Sequence, residues 1–160
     1  MQKVEHPFPP VVDSHSRILI LGSFPSVKSR EVRFFYGHPQ NRFWRVLAAV
    51  WESPVPETTE ERRAFLLTHR VALWDVIASC EITGSADSSI KEVVPNDLSR
   101  ILDCAKIERI YVNGKTAERF YRRYLRKSTG REAICLPSTS PANAAWSLQQ
   151  LVEAWREIRD

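Results

Sequence analysis

Four short apolar segments, each followed by a turn, limit the fold of this chain more than any other feature. They span residues 17–21, 71–77, 108–112 and 133–136, and stretches with helical spacing lie between them. Continuous apolar runs of this length are typical of strands covered on both faces. Strands that alternate with helices run parallel, joined by right-handed crossovers. The alternation predicts an α/β fold, a three-layer α/β/α sandwich with a central, mostly parallel four-stranded sheet.

Other segments predict helices, a loop and an N-terminal arm. Apolar spacing predicts helices over 43–51 and 148–158, and Thr58 with Glu61 matches a capping box. Residues 80–94 are polar without a period and predict a long loop. The proline-rich residues 1–16 predict an extended arm over the surface. At 160 residues the chain is expected to be one domain.

Composition excludes several classes of protein. A hydrophobic content of 43% with 26% charged residues is typical of a globular domain and not of a disordered one. The net charge of +4 fits a polyanionic partner or a solvated basic surface equally well. No apolar run approaches the roughly 20 residues that cross a bilayer, and the N-terminus lacks an apolar signal region.

Cofactor and metal sites are not expected. Five glycines, none in a phosphate-loop spacing, weigh against a nucleotide cofactor. Four histidines show no metal-ligand spacing with cysteines or carboxylates. Three distant cysteines build neither a disulfide framework nor a four-thiolate site. The predicted compartment is therefore the reducing cytoplasm.

The loops that follow the predicted strands carry the candidate site. In a parallel sheet these loops meet at one edge, which is where ligands bind. The rings of Phe24, Phe35 and Tyr36 can stack on a planar heterocycle, and Asn41 can hydrogen-bond to its edge. This combination suits a nucleobase. Alternatively, Phe34, Phe35 and Phe43 belong to the core and Asn41 caps the following helix.

Two further segments could contact phosphate. Hydroxyls and amides of residues 137–141, placed before the last helix, could bind an anion, or Ser140 could cap that helix. Lys115, Arg119 and Arg122 lie on the polar side of a predicted helix. They form either a solvated face or a track for a phosphate backbone.

Three ordered segments resemble a known family. Residues 22–26 (GSFPS), 37–44 (GHPQNRFW) and 136–143 (LPSTSPAN) resemble the motifs of the uracil-DNA glycosylase superfamily, and most closely those of its hypoxanthine (deoxyinosine) branch. The resemblance covers nearly the whole chain. It implies a three-layer α/β/α fold and a monofunctional, cofactor-free glycosylase of base-excision repair.

The resemblance also implies roles for residues. Tyr36 matches the aromatic that stacks on the extruded base, Asn41 matches the catalytic asparagine, and residues 137–140 match the loop that presses on the DNA strand. Mismatch-specific relatives carry a water-orienting asparagine where this chain has Phe24. The predicted base pocket comprises Ser23, Phe24, Phe35, Tyr36, His38, Asp75 and Asn113. The predicted DNA contacts are Ser26, Arg42, Lys115, Arg119, Arg122, Pro137, Ser138, Thr139 and Ser140.

The expected reaction is hydrolysis of the bond between an extruded base and its sugar. Asn41 would stabilise the departing base or hold the attacking water, and Asp75 is a second candidate for the water, with a buried hydrogen-bonding role as its alternative. The expected partner is DNA with a damaged base, bound by a monomer without a metal. A uracil glycosylase with a rearranged site and a catalytically silent binder of damaged DNA remain alternatives.

Overall fold

The computed structural model describes residues 2–160. These residues form β1 (Gln2–Glu5), β2 (Ile18–Gly22), β3 (Val71–Asp75), β4 (Ile77–Ile82), β5 (Lys91–Pro95), β6 (Arg109–Asn113) and β7 (Ile134–Leu136). Their helices are α1 (Val27–Val32), α2 (Phe43–Val50), α3 (Thr59–Thr68), α4 (Ser99–Leu102), α5 (Lys115–Tyr124), α6 (Arg126–Thr129) and α7 (Leu148–Trp155). Short 3₁₀ turns cover Asp87–Ser89 and Arg156–Arg159.

The main sheet confirms the predicted α/β fold. Its four strands run parallel in the order β3-β2-β6-β7. Every residue of β2 and β3 is buried, as expected for strands with helices packed over the sheet. Helix α3 packs on β3, α5 packs on β6, and α2 packs with α7. The register places Gly22 at the end of β2 directly beside Asp75 at the end of β3.

A second, antiparallel sheet with the order β1-β4-β5 corrects two predictions. The long loop predicted for residues 80–94 is wrong, because β4 and β5 pair as a hairpin. Lys91, Glu92 and Val94 of β5 are exposed, so the strand lacks the apolar pattern that reveals a buried one. The prediction of an extended surface arm is also wrong for residues 2–16. Met1 lies outside the described residues.

The N-terminal segment is part of the fold. Strand β1 pairs with β4, and Val11 forms an antiparallel bridge to Leu73 on the main sheet. Phe8 and Val11 are both buried in the core. The chain crosses the end of β3 between these two contacts and brings His6 to the candidate site.

Local signals for helix starts are partly confirmed. Thr58 and Glu61 form the predicted capping box, with a 3.0 Å bond from the Glu61 amide to Thr58 Oγ1. The last helix begins at Leu148 and is capped by Ser147, so the expected Ser140 cap is wrong. The loop after β7 therefore stands several residues before that helix. No helix within residues 2–160 has the length and apolar character to span a membrane.

Candidate active site

A cavity of about 360 Å³ opens at the carboxyl edge of the main sheet. Ligand cavities commonly have about this volume. Its walls come from the loop after β2, the segment before α2, the ends of β3 and β6, the β4–β5 hairpin and the loop after β7. The lining residues are Gly22, Ser23, Phe24, Pro25, Ser26, Ser29, Phe35, Tyr36, His38, Asn41, Asp75, Ser85, Asp87, Asn113, Ser138, Thr139, Ser140, Pro141 and Ala142.

The structure brings most of the predicted site residues together. All seven predicted base-pocket residues line the cavity, and so do Asn41, Ser26 and residues 138–140. Pro137, Arg42 and the basic residues of α5 are not part of the cavity wall. Lining a cavity is a matter of position, and the roles of these residues stay predictions.

A chain of hydrogen bonds joins three walls of the cavity. Asn113 Nδ2 donates to the Tyr36 hydroxyl at 3.1 Å and to Thr139 Oγ1 at 3.0 Å. Asn113 Oδ1 accepts a bond from the Thr139 amide at 3.1 Å. Thr139 Oγ1 in turn donates to Asn41 Oδ1 at 2.8 Å. Because Thr139 is fully buried, these bonds hold the segments rigidly in one arrangement.

The orientation of the Asn41 amide follows from its partners. Its Oδ1 also accepts a 2.9 Å bond from the amide of Phe43, the first residue of α2. A backbone N–H can only donate, so the oxygen of Asn41 must face it. Both acceptor positions of this oxygen are then occupied, whereas Nδ2 bonds to no residue of 2–160. Asn41 lies one residue before Arg42, the N-cap of α2, so its oxygen stabilises the start of the helix while its Nδ2 offers an N–H donor beside the cavity.

Tyr36 presents a ring that is fixed on one side. Phe43 stacks on it with 4.0 Å between ring centroids and 16° between planes. The backbone of Tyr36 lies in the left-handed region at φ 51°, which residues at functional sites adopt more often than others. Burial of the hydroxyl, helped by the negative charge of Asp75, raises its pKa above the ordinary 10.0. The hydroxyl therefore stays protonated.

Phe24 and Phe35 form the apolar wall around a histidine. His6 lies with its ring centroid 6.1 Å from that of Phe24 and 6.0 Å from that of Phe35. Phe8 closes the cluster in an edge contact with Phe35 at 4.7 Å. Phe35 is 2% exposed, so this predicted stacking residue belongs to the core and the cavity wall at once.

Asp75 is a buried carboxylate held by that histidine. His6 Nε2 lies 2.8 Å from Asp75 Oδ2, and both side chains are 5% exposed. The other oxygen, Oδ1, lies against Gly22, where an added Cβ would overlap it. Glycine at position 22 thus makes room for the carboxylate.

Asp87 adds a second carboxyl group at the mouth of the cavity. It reaches the site from the β4–β5 hairpin and accepts a 3.3 Å bond from the Ser23 hydroxyl. Partial burial of the carboxyl raises its pKa, and the charge of Asp75 adds to that rise. The hydrogen bond from Ser23 and the positive charge of Arg119 oppose this rise in the pKa.

Arg42 serves the loop after β7. Its guanidinium donates to the carbonyls of Ser140 at 3.1 Å and Asn143 at 3.0 Å, and also to the carbonyl of Trp146. Its amide donates to the Thr139 carbonyl at 3.0 Å. The predicted phosphate contact is not supported, because three carbonyls occupy the terminal guanidinium nitrogens. Arg42 fixes the loop predicted to meet DNA.

The basic residues of α5 are exposed, as a phosphate-binding face requires. Lys115 begins the helix, next to the end of β6. The Arg119 guanidinium lies 4.8 Å from the centroid of the Phe120 ring. Arg122 lies 3.5 Å from Glu118, four residues earlier, so part of its charge is compensated. Arg119 is the better placed of the two arginines.

Sequence reasoning missed His6 and Asp87. His6 lies in a segment predicted to be a surface arm, 69 residues from its partner Asp75. Asp87 lies in the segment predicted to be a loop. The one signal in the sequence for Asp87 was that it lies in a long polar segment, since long loops often carry functional residues. Within residues 2–160, no three His, Cys, Asp or Glu side chains are grouped closely enough to hold a metal ion.

Comparison with known proteins gives consistent matches over nearly the whole chain. A family model described as the uracil DNA glycosylase superfamily matches residues 9–159. A protein named hypoxanthine DNA glycosylase from Methanosarcina acetivorans is 35% identical over 157 residues, which is 97% of this chain and 98% of that protein. A protein of the same name from Methanosarcina barkeri is 35% identical over 94% of each chain.

A solved structure matches the fold as well. It is a solution NMR structure of a Methanosarcina acetivorans protein, described provisionally as a uracil DNA glycosylase. The match has a TM-score of 0.78 at 33% identity and covers 96% of this chain and 97% of that one.

Proposed function

Because the chain belongs to the uracil DNA glycosylase superfamily, we propose that it removes hypoxanthine from DNA by hydrolysing the bond between the base and its sugar. One observation carries the choice of chemistry: a cavity with aromatic walls whose fixed amide, Asn41, has its oxygen occupied and its Nδ2 unbonded within residues 2–160. The relatives named hypoxanthine DNA glycosylase support the choice of base.

The base must leave the duplex before it can react. The bond between base and sugar is buried in stacked DNA, and a weakly paired base needs least energy to swing out. A cavity of about 360 Å³ with rings at Phe24, Phe35 and Tyr36 can receive a planar base. Because Phe43 covers one face of Tyr36, only its other face is available for stacking.

A free N–H donor favours hypoxanthine over adenine. Hypoxanthine has a carbonyl oxygen at the position where adenine carries an amino group. Asn41 Nδ2 can donate to that oxygen, whereas two N–H donors facing each other leave both unsatisfied. Uracil also presents carbonyl oxygens, so the same donor would tolerate it.

The same donor assists bond breaking. As the bond between the base and C1′ lengthens, negative charge gathers on the base and positive charge on the sugar. A donor that is already oriented stabilises this charge without reorganising during the reaction. The hydrogen bonds from Phe43 and Thr139 to Oδ1 supply that orientation. Water does not fit the acceptor side of Asn41, since both positions there are occupied.

The reaction is expected to stop at an abasic site. A lyase step would need an amine in the cavity, and no lysine lines the cavity that residues 2–160 form. Lys115 is exposed at the start of α5. The products are free hypoxanthine and an intact strand with an abasic sugar.

DNA would approach from the edge where the cavity opens. The loop over residues 138–142 forms one wall, and Arg42 holds it in place. Arg119, an exposed residue of α5, would supply positive charge for the phosphate backbone. The protein is proposed to act as a monomer. The three unpaired cysteines fit a reducing cytoplasm.

The test uses an end-labelled duplex with one deoxyinosine. We expect the purified wild-type protein to release hypoxanthine, detected by mass spectrometry, and to leave a site that breaks only after alkali. Matched strands with deoxyadenosine or deoxyuridine at the same position serve as controls. Binding without base release would make the protein a damage-binding protein, and faster release of uracil would reassign the substrate.

A further inference from the structure

The cavity contains one buried carboxylate whose second oxygen has no partner among the described residues. Asp75 Oδ2 is bonded to His6, whereas Oδ1 accepts no hydrogen bond from residues 2–160. The Tyr36 hydroxyl accepts a bond from Asn113, but its own hydrogen has no acceptor there either. We propose that Asp75 Oδ1 and the Tyr36 hydroxyl hold the water that attacks the sugar, and that His6 positions the carboxylate. This inference rests on the glycosylase reaction proposed above.

Gly22 places the two oxygens close together. A Cβ built on Gly22 would overlap Asp75 Oδ1 and would come within 2.9 Å of the Tyr36 hydroxyl oxygen. Both oxygens therefore lie over the same face of residue 22, at the end of β2. A water between them can accept the Tyr36 hydrogen and donate one of its own to Asp75. The remaining lone pair of the water is then free for the sugar.

Other side-chain acceptors of the cavity wall are occupied or lie at its exposed rim. Both acceptor positions of Asn41 Oδ1 are filled. Ser26 Oγ accepts from the Ser29 amide, and Ser29 Oγ accepts from the Gly37 amide, so these hydroxyls stabilise their own loops. Asp87 lies at the rim and is bonded to Ser23.

The side chain of Phe24, in the loop after β2, has no polar atom that could hold a water. Asp75 is therefore the buried base available for a water.

His6 fixes which carboxylate oxygen is free. Its backbone amide donates to the Ala78 carbonyl at 2.7 Å, and its ring lies in the cluster of Phe8, Phe24 and Phe35. The Phe8 amide lies 3.5 Å from Nδ1, the acceptor side of a ring that donates from Nε2. With Oδ2 bound to Nε2, the carboxylate cannot rotate, and Oδ1 stays beside Gly22.

The step balances without a further reactant. The water oxygen bonds to C1′ as the bond from C1′ to the base nitrogen breaks, and the electron pair of that bond leaves with the base. Asp75 takes one proton from the water and later loses it to solvent. The base gains a proton from solvent, so that hypoxanthine and a sugar with a C1′ hydroxyl are the products. Asn41 acts on the base and Asp75 on the water, so the two groups have separate tasks.

The experiment separates rate from binding with three test variants and two control variants. Asp75→Asn keeps the shape and removes the base. We expect single-turnover release of hypoxanthine to fall by about 100-fold or more. Affinity for a 2′-fluoro-deoxyinosine duplex, which binds but resists hydrolysis, should stay within about threefold, because the carboxylate acts on the water and not on the base. Asp103→Asn, an exposed aspartate elsewhere, and His15→Phe, an exposed histidine, are the controls and should match the wild type.

His6 is tested by its conservative variant. His6→Phe removes the donor and lets the carboxylate move, and a displacement of about 1 Å lowers a rate by roughly 100-fold. His6→Gln keeps an N–H donor and should recover part of that rate, which a purely structural contact would not do. Circular dichroism checks the fold of each variant. If Asp75→Asn does not fold, the His6 pair decides the matter alone.

The outcomes distinguish this inference from the proposed function. Wild-type rates in Asp75→Asn, or equal rates in wild type, His6→Gln and His6→Phe, overturn the inference while leaving the glycosylase in place. No base release by the wild-type protein overturns both. A loss of affinity equal to the loss of rate would make Asp75 a binding residue and would also overturn it.

Discussion

The double role of Asn41 predicts that its structural and chemical parts can be separated by one pair of variants. In Asn41→Ala both parts disappear. In Asn41→Asp, the carboxylate still accepts the bonds from the Phe43 amide and from Thr139 Oγ1, which measure 2.9 Å and 2.8 Å in the native protein. Only the N–H donor is replaced, by an oxygen that carries negative charge.

The stability change follows from the same bonds. Asn41→Ala loses the hydrogen bond from the Phe43 amide, worth about 1 kcal/mol. It also leaves the fully buried Thr139 hydroxyl without an acceptor, at about 1–3 kcal/mol. A loss of about 2–4 kcal/mol lowers the melting temperature of a chain of this length by roughly 4–16 °C. Asn41→Asp should stay within about 1 kcal/mol of the wild type, since a negative charge is favourable at the start of α2.

The catalytic change should be large in both variants. Removing one preoriented donor costs about 100-fold to 1000-fold in rate, and the negative charge of the introduced carboxylate would oppose the charge on the base as well. Calorimetry and single-turnover release of hypoxanthine measure the two effects independently. A rate for Asn41→Asp within about threefold of the wild type would refute the donor role. Melting of Asn41→Asp as low as that of Asn41→Ala would refute the structural role of the Asn41 oxygen.

Two further predictions concern the surface and the pH dependence of stability. Arg119→Ala combined with Arg122→Ala should flatten the dependence of log affinity on log salt by about one unit for each phosphate that the protein no longer neutralises. Arg131 precedes β7 at the opposite edge of the sheet, so Arg131→Ala should leave the slope unchanged. An unchanged slope in the double variant would mean that Arg119 and Arg122 do not contact phosphate. The raised pKa of Tyr36 keeps its folded hydroxyl protonated while the unfolded chain ionises near 10.0, so stability falls as pH rises through that value. Tyr36→Phe should remove this part of the decline in stability. Urea unfolding of both proteins at one pH below 10.0 and one above it measures the effect. An equal loss of stability in the wild type and the variant would contradict the argument.

Strands β2 and β3 of the main sheet could be predicted because they are buried on both faces. A run such as Ile18 to Leu21 must be apolar throughout, and such a run stands out in a sequence. Strand β5 could not be found in this way. It contains Lys91 and Glu92 and lies at the edge of a small sheet, where pairing with β4 and not burial holds it.

The site was predictable where neighbouring residues form it. The segment before α2 carries an aromatic, a proline and an asparagine in one turn, which is typical of a loop that presents side chains. The pairing of His6 with Asp75 spans 69 residues and depends on β1 joining β4, which no local pattern reveals. Arg42 was predicted as a DNA contact. Its observed partners are carbonyls about 100 residues later in the chain, which no local pattern reveals.

The Arg42 contacts also bear on when activity can arise during synthesis. Its guanidinium bonds to carbonyls that lie 98 to 104 positions later in the chain. A nascent chain that has not yet released those residues from the ribosome lacks a wall of the cavity, although α2 and most of the sheet are already made. An incomplete polypeptide that ends before these residues is therefore expected to be inactive, because Arg42 and the loop it binds complete the cavity together.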